Sequence, residues 1–186
     1  NPAMKYRIRS GTLFSVEKGR AAVSLASIKG PFYSVRRAIL SPDGRAVLYT
    51  DIQAARSGGI SAHKYVITDP RKRVVFSGKP ECAAGDDPGS TGESVPRIPR
   101  MDRVRMRMGR SVYNLKMLNS QNYCMTDERG HKAAEIIHDG IGGGWTVEAD
   151  GAIAPAILMG IFIFSRYLEK ETEFVATRLP DGNSGL

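Results

Sequence analysis

Apolar positions in this chain fall mostly in short alternating runs separated by turn residues, the pattern of antiparallel strands. Residues 33–40 and 45–49 flank Ser41-Pro42-Asp43-Gly44, where Pro presets the turn dihedral and Gly accepts a positive φ. Residues 64–68 and 73–77 flank Asp69-Pro70-Arg71-Lys72 in the same way, and 13–16 and 21–25 enclose Glu17-Lys18-Gly19-Arg20. No helical periodicity separates these runs, so the first 80 residues predict hairpins rather than β-α-β units. Past residue 100 the alternation resumes. Arg103-Val104-Arg105-Met106-Arg107-Met108 turns Val104, Met106 and Met108 inward and Arg103, Arg105 and Arg107 outward. Further strands are expected over 112–118, 122–125, 132–137 and 145–149, with a hairpin turn at Thr126-Asp127-Glu128-Arg129-Gly130.

One segment departs from this pattern. Ala152 to Phe164 is an uncharged apolar run of 13 residues, below the roughly 20 needed to span a bilayer and within the range of a buried core helix. Pro155 is tolerable only in a first turn, so the helix is expected over about 154–170. Its middle is apolar on every side, and such a helix must be enclosed. In a mainly β chain only a wrapping sheet can do that. The expected fold is therefore a closed antiparallel β-barrel of about ten to twelve strands around a buried hydrophobic C-terminal helix. A last strand is expected over 172–176.

The barrel is expected to occupy 4–179 as one domain, with 152–170 as its central helix and 180–186 as a tail. Asn1-Pro2-Ala3 ahead of Met4 reads as a remnant of expression. Residues 81–99 are rich in Gly, Pro, Ser and Asp without apolar periodicity, which predicts a flexible surface loop.

Order and residue type in the closing third carry a resemblance. Asn122-Tyr123-Cys124-Met125-Thr126-Asp127 with Gly130, then Gly144-Trp145-Thr146-Val147-Glu148-Ala149-Asp150, then the apolar helix, resemble the tubby C-terminal-like superfamily: tubby domains, phospholipid scramblases and LURP-one-related proteins. The resemblance implies a closed barrel around a hydrophobic helix. Tubby domains hold phosphoinositide head groups through basic residues on the barrel exterior, so it also implies an anionic phospholipid or phosphoinositide-like partner at a membrane surface. The scramblases' acidic calcium-associated segment has no counterpart beyond Glu148 and Asp150.

Charge agrees with that expectation. The 186 residues carry 27 Lys+Arg against 19 Asp+Glu, a formal net charge of +8. Residues 1–80 hold 15 of the cations and 4 of the acids. The candidate anion- or lipid-binding residues are Arg103, Arg105 and Arg107 on one strand, then Arg36, Arg37, Arg71, Lys72 and Arg73. A nucleic-acid reading ranks second, with Tyr113 as a stacking platform beside the three arginines; a plain interaction domain is the third.

Catalytic chemistry has little to rest on. His63, His131 and His138 sit in no triad motif, Cys124 reads as a small core hydrophobe in an apolar strand, and no Cys/His cluster has metal-ligand spacing. Gly140 to Gly144 lacks the Lys-Ser/Thr of a phosphate-binding loop, so it reads as a turn into Trp145, whose indole is expected to lie against the helix. A non-enzymatic barrel without cofactor or metal, cytoplasmic and peripheral at the membrane, is the resulting expectation.

Overall fold

The alternating runs form strands. The computed structural model describes residues 2–30, 35–57, 60–82, 101–119 and 121–178. In chain order these form β1 (Ala3–Arg9), β2 (Thr12–Ser15), β3 (Ser24–Lys29), β4 (Arg37–Leu40), β5 (Ala46–Ser57) and β6 (Ile60–Thr68). Then follow β7 (Val74–Cys82), β8 (Met101–Met108), β9 (Ser111–Asn119), β10 (Asn122–Asp127), β11 (Lys132–His138), β12 (Trp145–Asp150) and helix α1 (Pro155–Arg178). Each strand pairs antiparallel with its sequence neighbours, and β1 pairs with β12 to close a twelve-stranded barrel.

Strand β1 supplies the closure. Tyr6 and Ile8 point inward at 5% and 1% exposure, while Lys5, Arg7 and Arg9 face out. The seam to β12 is tight: at Gly144, φ is +73° and a Cβ would fall 2.2 Å from the Ile8 carbonyl oxygen. A side chain there would push the two strands apart.

Several boundaries differ from the sequence expectation, and the strand expected over 21–25 lies further on, at β3, because its ladder with β2 begins at Ser24. No strand forms over 172–176, because α1 continues to Arg178; residues 165–178 contain no Gly or Pro, and Leu168, Glu169, Lys170 and Glu171 are strong helix formers. Strand β7 runs through Cys82, with Glu81 opposite Arg103 and Cys82 opposite Met101. The ladder thus absorbs the first two residues of the expected 81–99 loop, and the rest of that loop lies outside the described residues. Strands β5 and β6 pair as far as Ser57 and Ile60, well beyond the runs read from their apolar alternation.

The interior is built around the helix, whose 24 residues span roughly 36 Å. Leu158, Met159, Ile161, Phe164 and Leu168 are at most 1% exposed and meet Ile39, Ile67, Phe76, Val104 and Met106 from the wall in one cluster. Fully burying each such side chain is worth roughly 1.5–3 kcal/mol. Gly160 lets the helix approach β6, since a Cβ there would lie 2.3 Å from Ile67 Cδ1. The helix enters at the end carrying the β4–β5, β6–β7 and β10–β11 turns (the near end) and runs toward the end carrying the β1–β2, β5–β6 and β11–β12 turns (the far end). Among the described residues no helix is long and apolar enough to cross a membrane.

Candidate anion-binding surfaces

Strand alternation decides which charges meet on the outer wall. On β8, Val104 and Met106 are fully buried, while Arg105 and Arg107 are exposed and Arg103 is half-buried. The row runs along the strand with a spacing of roughly 6.8 Å between alternate residues. Register adds to it from both sides: Lys79 on β7 stands opposite Arg105, and Lys116 on β9 stands opposite Arg103. Neighbouring strands lie roughly 4.8 Å apart, so the five cations occupy one small patch.

Acids reach only one corner of this patch. Arg103 Nε donates to Asp102 Oδ1 at 2.9 Å, and this hydrogen bond, with the charges of Asp102 and Glu81, raises its pKa. Lys79, Arg105, Arg107 and Lys116 make no ion pair among the described residues. Like charges directly opposite each other on a ladder are destabilising. Lys79 facing Arg105 is such a pair.

The other candidate cations do not join this patch. Arg36 and Arg37 sit at the far end, where the Arg36 guanidinium lies 4.9 Å from the Tyr49 ring centroid and Arg37 Nη1 donates to the Arg36 carbonyl at 3.3 Å. Arg71, Lys72 and Arg73 form the β6–β7 turn at the near end. There Asp69 Oδ1 accepts the amides of Arg71 and Arg73 at 2.9 Å, and Arg73 Nε donates to Asp69 Oδ2 at 2.8 Å. These bonds hold the Asp69 carboxyl below its ordinary pKa. Lys72 carries the turn at φ +66°. Those three cations shape a turn, and the candidate cations of the first 80 residues divide between opposite ends of the barrel.

Polar groups also line the far half of the interior. Glu171, 6% exposed, accepts hydrogen bonds from His63 Nδ1 at 2.6 Å and from the Tyr65 hydroxyl at 3.0 Å. Tyr167 donates to the Val35 carbonyl and lies 3.4 Å from the hydroxyl of buried Thr50. Burial and, second, the Glu171 charge push the Tyr65 phenol far above its ordinary pKa, and burial raises Tyr123 and Tyr167 likewise. His63 and Glu171 are 108 positions apart, and no local spacing announces such a pair. Lys79 was hidden differently. It lies between Gly78 and Pro80, residues that weaken a strand signal although both point inward here.

Several single-residue expectations can be placed. Trp145 does lie on the helix, its ring centroid 4.9 Å from that of Phe162 in an edge-on arrangement. Gly140 to Gly144 forms the β11–β12 turn, with positive φ at Gly140, Gly142 and Gly144. Tyr113 is not beside the arginines: it faces inward, stacked on Phe76 at 6.4 Å. Cys124 is not a core residue either. The buried residues of β10 are Tyr123 and Met125, so alternation turns Cys124 to the outer wall, half-buried between Lys116 and Glu135. Among the described residues no His/Cys/Asp/Glu group could hold a metal ion.

Comparison with known proteins adds a likeness to a solved structure. No protein-family model matches the chain, and no curated protein does. A crystal structure of an Arabidopsis thaliana protein is similar at 12% identity and a TM-score of 0.48, covering 89% of this chain and 90% of that one. At that identity and score the likeness carries no argument.

Proposed function

We propose that the chain is a non-enzymatic, tubby-like barrel that binds anionic membrane surface through the outer wall of β7, β8 and β9. The observation that carries this reading is the facing pair Lys79 and Arg105, continued by Arg107 and Lys116, with acids at the Arg103 corner only. A wall that repels itself gains when a negatively charged surface covers it. Closure around a C-terminal helix supports the tubby-like part of the reading, since that architecture is what the resemblance implies. The inward position of Tyr113 weighs against the nucleic-acid alternative, because the basic wall then lacks the aromatic platform that reading used.

Co-sedimentation with phosphatidylcholine vesicles containing phosphatidylserine tests the proposal. Binding should be strong at low salt and fall steeply as salt rises. The Arg105→Gln/Arg107→Gln variant should bind roughly 30-fold more weakly, at about 1 kcal/mol per cation near an anionic surface. Wild-type protein that ignores these vesicles at low salt, or a variant that binds as well as wild type, overturns the proposal. Tighter binding to single-stranded DNA than to vesicles at equal salt overturns it in favour of nucleic acid.

A further inference from the structure

Apolar side chains break the surface at the far end of β9 to β12. Ile141, at the tip of the β11–β12 turn, is fully exposed at 108%, and Leu118 near the end of β9 is 55% exposed. Scattered apolar side chains are ordinary on a protein surface. These two differ in how they are held and in what lies beside them.

The turn that carries Ile141 is tied from several sides. Gly143 N donates to the Gly140 carbonyl at 3.2 Å, and Asp139 N donates to the Gly144 carbonyl at 2.8 Å. Ile141 and Gly142 are therefore the central residues of a type II turn, with Gly142 at φ +73°. Arg9 Nε on β1 donates to the Gly143 carbonyl at 3.3 Å, and the Gly140 amide donates to His138 Nδ1 at 3.2 Å. None of these bonds uses the Ile141 side chain. At full exposure it buries no surface in the fold, so the barrel displays it without drawing stability from it.

The neighbouring turn belongs to the same edge. Trp145 Nε1 donates to the Gln121 carbonyl at 3.3 Å, and the His138 amide donates to Asn122 Oδ1 at 2.8 Å, which joins the β9–β10 and β11–β12 turns. Leu118 lies on the outer face of β9, two residues beyond Lys116 and so roughly 6.8 Å along the strand. The apolar edge is thus continuous with the basic wall. Asp139, the acid nearest Ile141 in sequence, is engaged: its Oδ1 accepts from Thr146 Oγ1 at 2.7 Å.

We propose that Ile141 and Leu118 insert into the interfacial layer of an anionic bilayer, so that the barrel docks with the far-end edge of β9 to β12 lowest. This rests on the membrane reading above and adds the orientation. The two features act at different ranges. Cations of the wall attract the surface across a Debye length, whereas apolar side chains act only on contact. A turn already pinned by Arg9 and His138 loses little freedom when its tip is covered.

Phosphatidylcholine vesicles containing phosphatidylserine are the probe, with an NBD fluorophore placed by Ile141→Cys in a Cys82→Ser/Cys124→Ser background. Its emission should brighten and shift to the blue on vesicle binding. The same label at Lys18→Cys, in the exposed β2–β3 turn of the near end, should not respond. Ile141→Ser should weaken binding about tenfold, the lower end of what full burial of an isoleucine supplies, and by the same factor at each salt concentration because no charge changes. Adding Leu118→Ser should cost about a further threefold, since that side chain is already partly covered. Ile141 packs on nothing, so Ile141→Ser should melt as wild type does. Bound protein with a silent label at 141, or Ile141→Ser binding as wild type does, overturns the insertion and leaves the outer-wall reading standing. A responsive label at 141 with Arg105→Gln/Arg107→Gln binding undiminished does the reverse. Wild-type protein that ignores the vesicles overturns both.

Discussion

The outer wall carries like-charge facing pairs in two regions, and they are treated differently. On β11 and β12, Glu135 stands opposite Glu148. Lys132 Nζ donates to Glu135 at 2.8 Å, and Lys5 on β1 stands opposite Glu148, so each acid has its own cation. On β7 and β8, Lys79 stands opposite Arg105, and their neighbours Arg107, Asn114 and Lys116 bring no compensating acid. A single ladder rung joins the two regions, running Glu81, Arg103, Lys116, Cys124, Glu135, Glu148, Lys5 around the barrel. Repulsion neutralised locally is ordinary surface design; repulsion left open is a cost that an anionic partner would relieve. That contrast, rather than the net charge of +8, singles out β7 to β9.

Both regions depend on the same interior, and the largest expected effect lies there. Ile161 is fully buried at the middle of the apolar helix. Ile161→Asp would place a carboxylate with no partner in that core, costing several kcal/mol. Thermal unfolding followed by circular dichroism should show no cooperative native transition. A soluble variant with wild-type melting would mean the helix is not enclosed, and the distinction between inner and outer faces on which the comparison stands would go with it.

Much of that distinction is legible in the amino-acid sequence. Strict alternation in residues 103–108 fixes which side chains point out, because the strand period is 2 and the inward residues are apolar. A helix whose middle is apolar on every side requires a wrapping sheet in a β-rich chain, so the barrel follows from enclosing that segment. What alternation cannot supply is the partner across a strand. Lys79 becomes part of the patch only through a register with β8 that begins beyond a long connecting segment. Cys124 was misread because Tyr123-Cys124-Met125 is a short apolar run, too short for period 2 to show which face is inside. Strand β1 alternates as Lys5-Tyr6-Arg7-Ile8-Arg9 but is absent from the expected strands, because two apolar positions make too short a pattern. The strand expected at 172–176 rested on β-branched and aromatic residues, whereas unbroken helix formers just before them carried the helix onward.

Placing a carboxylate in the open pair would sharpen the comparison further. Arg105→Glu turns the facing of Lys79 from repulsive to attractive while removing one cation from the patch. If the pair is left uncompensated for the sake of a partner, the variant should melt higher than wild type at low salt and bind anionic vesicles at least tenfold more weakly, a charge reversal being worth about two cations at about 1 kcal/mol each. Stability and binding would move in opposite directions. A lower melting temperature would show that Arg105 makes a stabilising contact, and its facing pair would then be no signal of function.

The smallest effect is read at the boundary between the regions. Cys124 sits on the shared rung, opposite Lys116 from the basic side and Glu135 from the acidic side. Its thiol is pushed above its ordinary pKa, first by burial and then by the Glu135 charge, while Lys132 pulls it back. The reactive species in alkylation is the thiolate, so the rate at a fixed mildly alkaline pH follows the thiolate fraction. Glu135→Gln removes a charge that raises the pKa, which lowers it and speeds alkylation. Lys132→Gln removes a charge that lowers the pKa and leaves Glu135 unpaired, which slows alkylation. Iodoacetamide labelling resolved by peptide mass spectrometry isolates Cys124 from Cys82, and the midpoint of its rate–pH curve should lie above that of a free thiol. A shift of the same sign in both variants would mean that packing, not the facing charges, sets the field where the two walls meet.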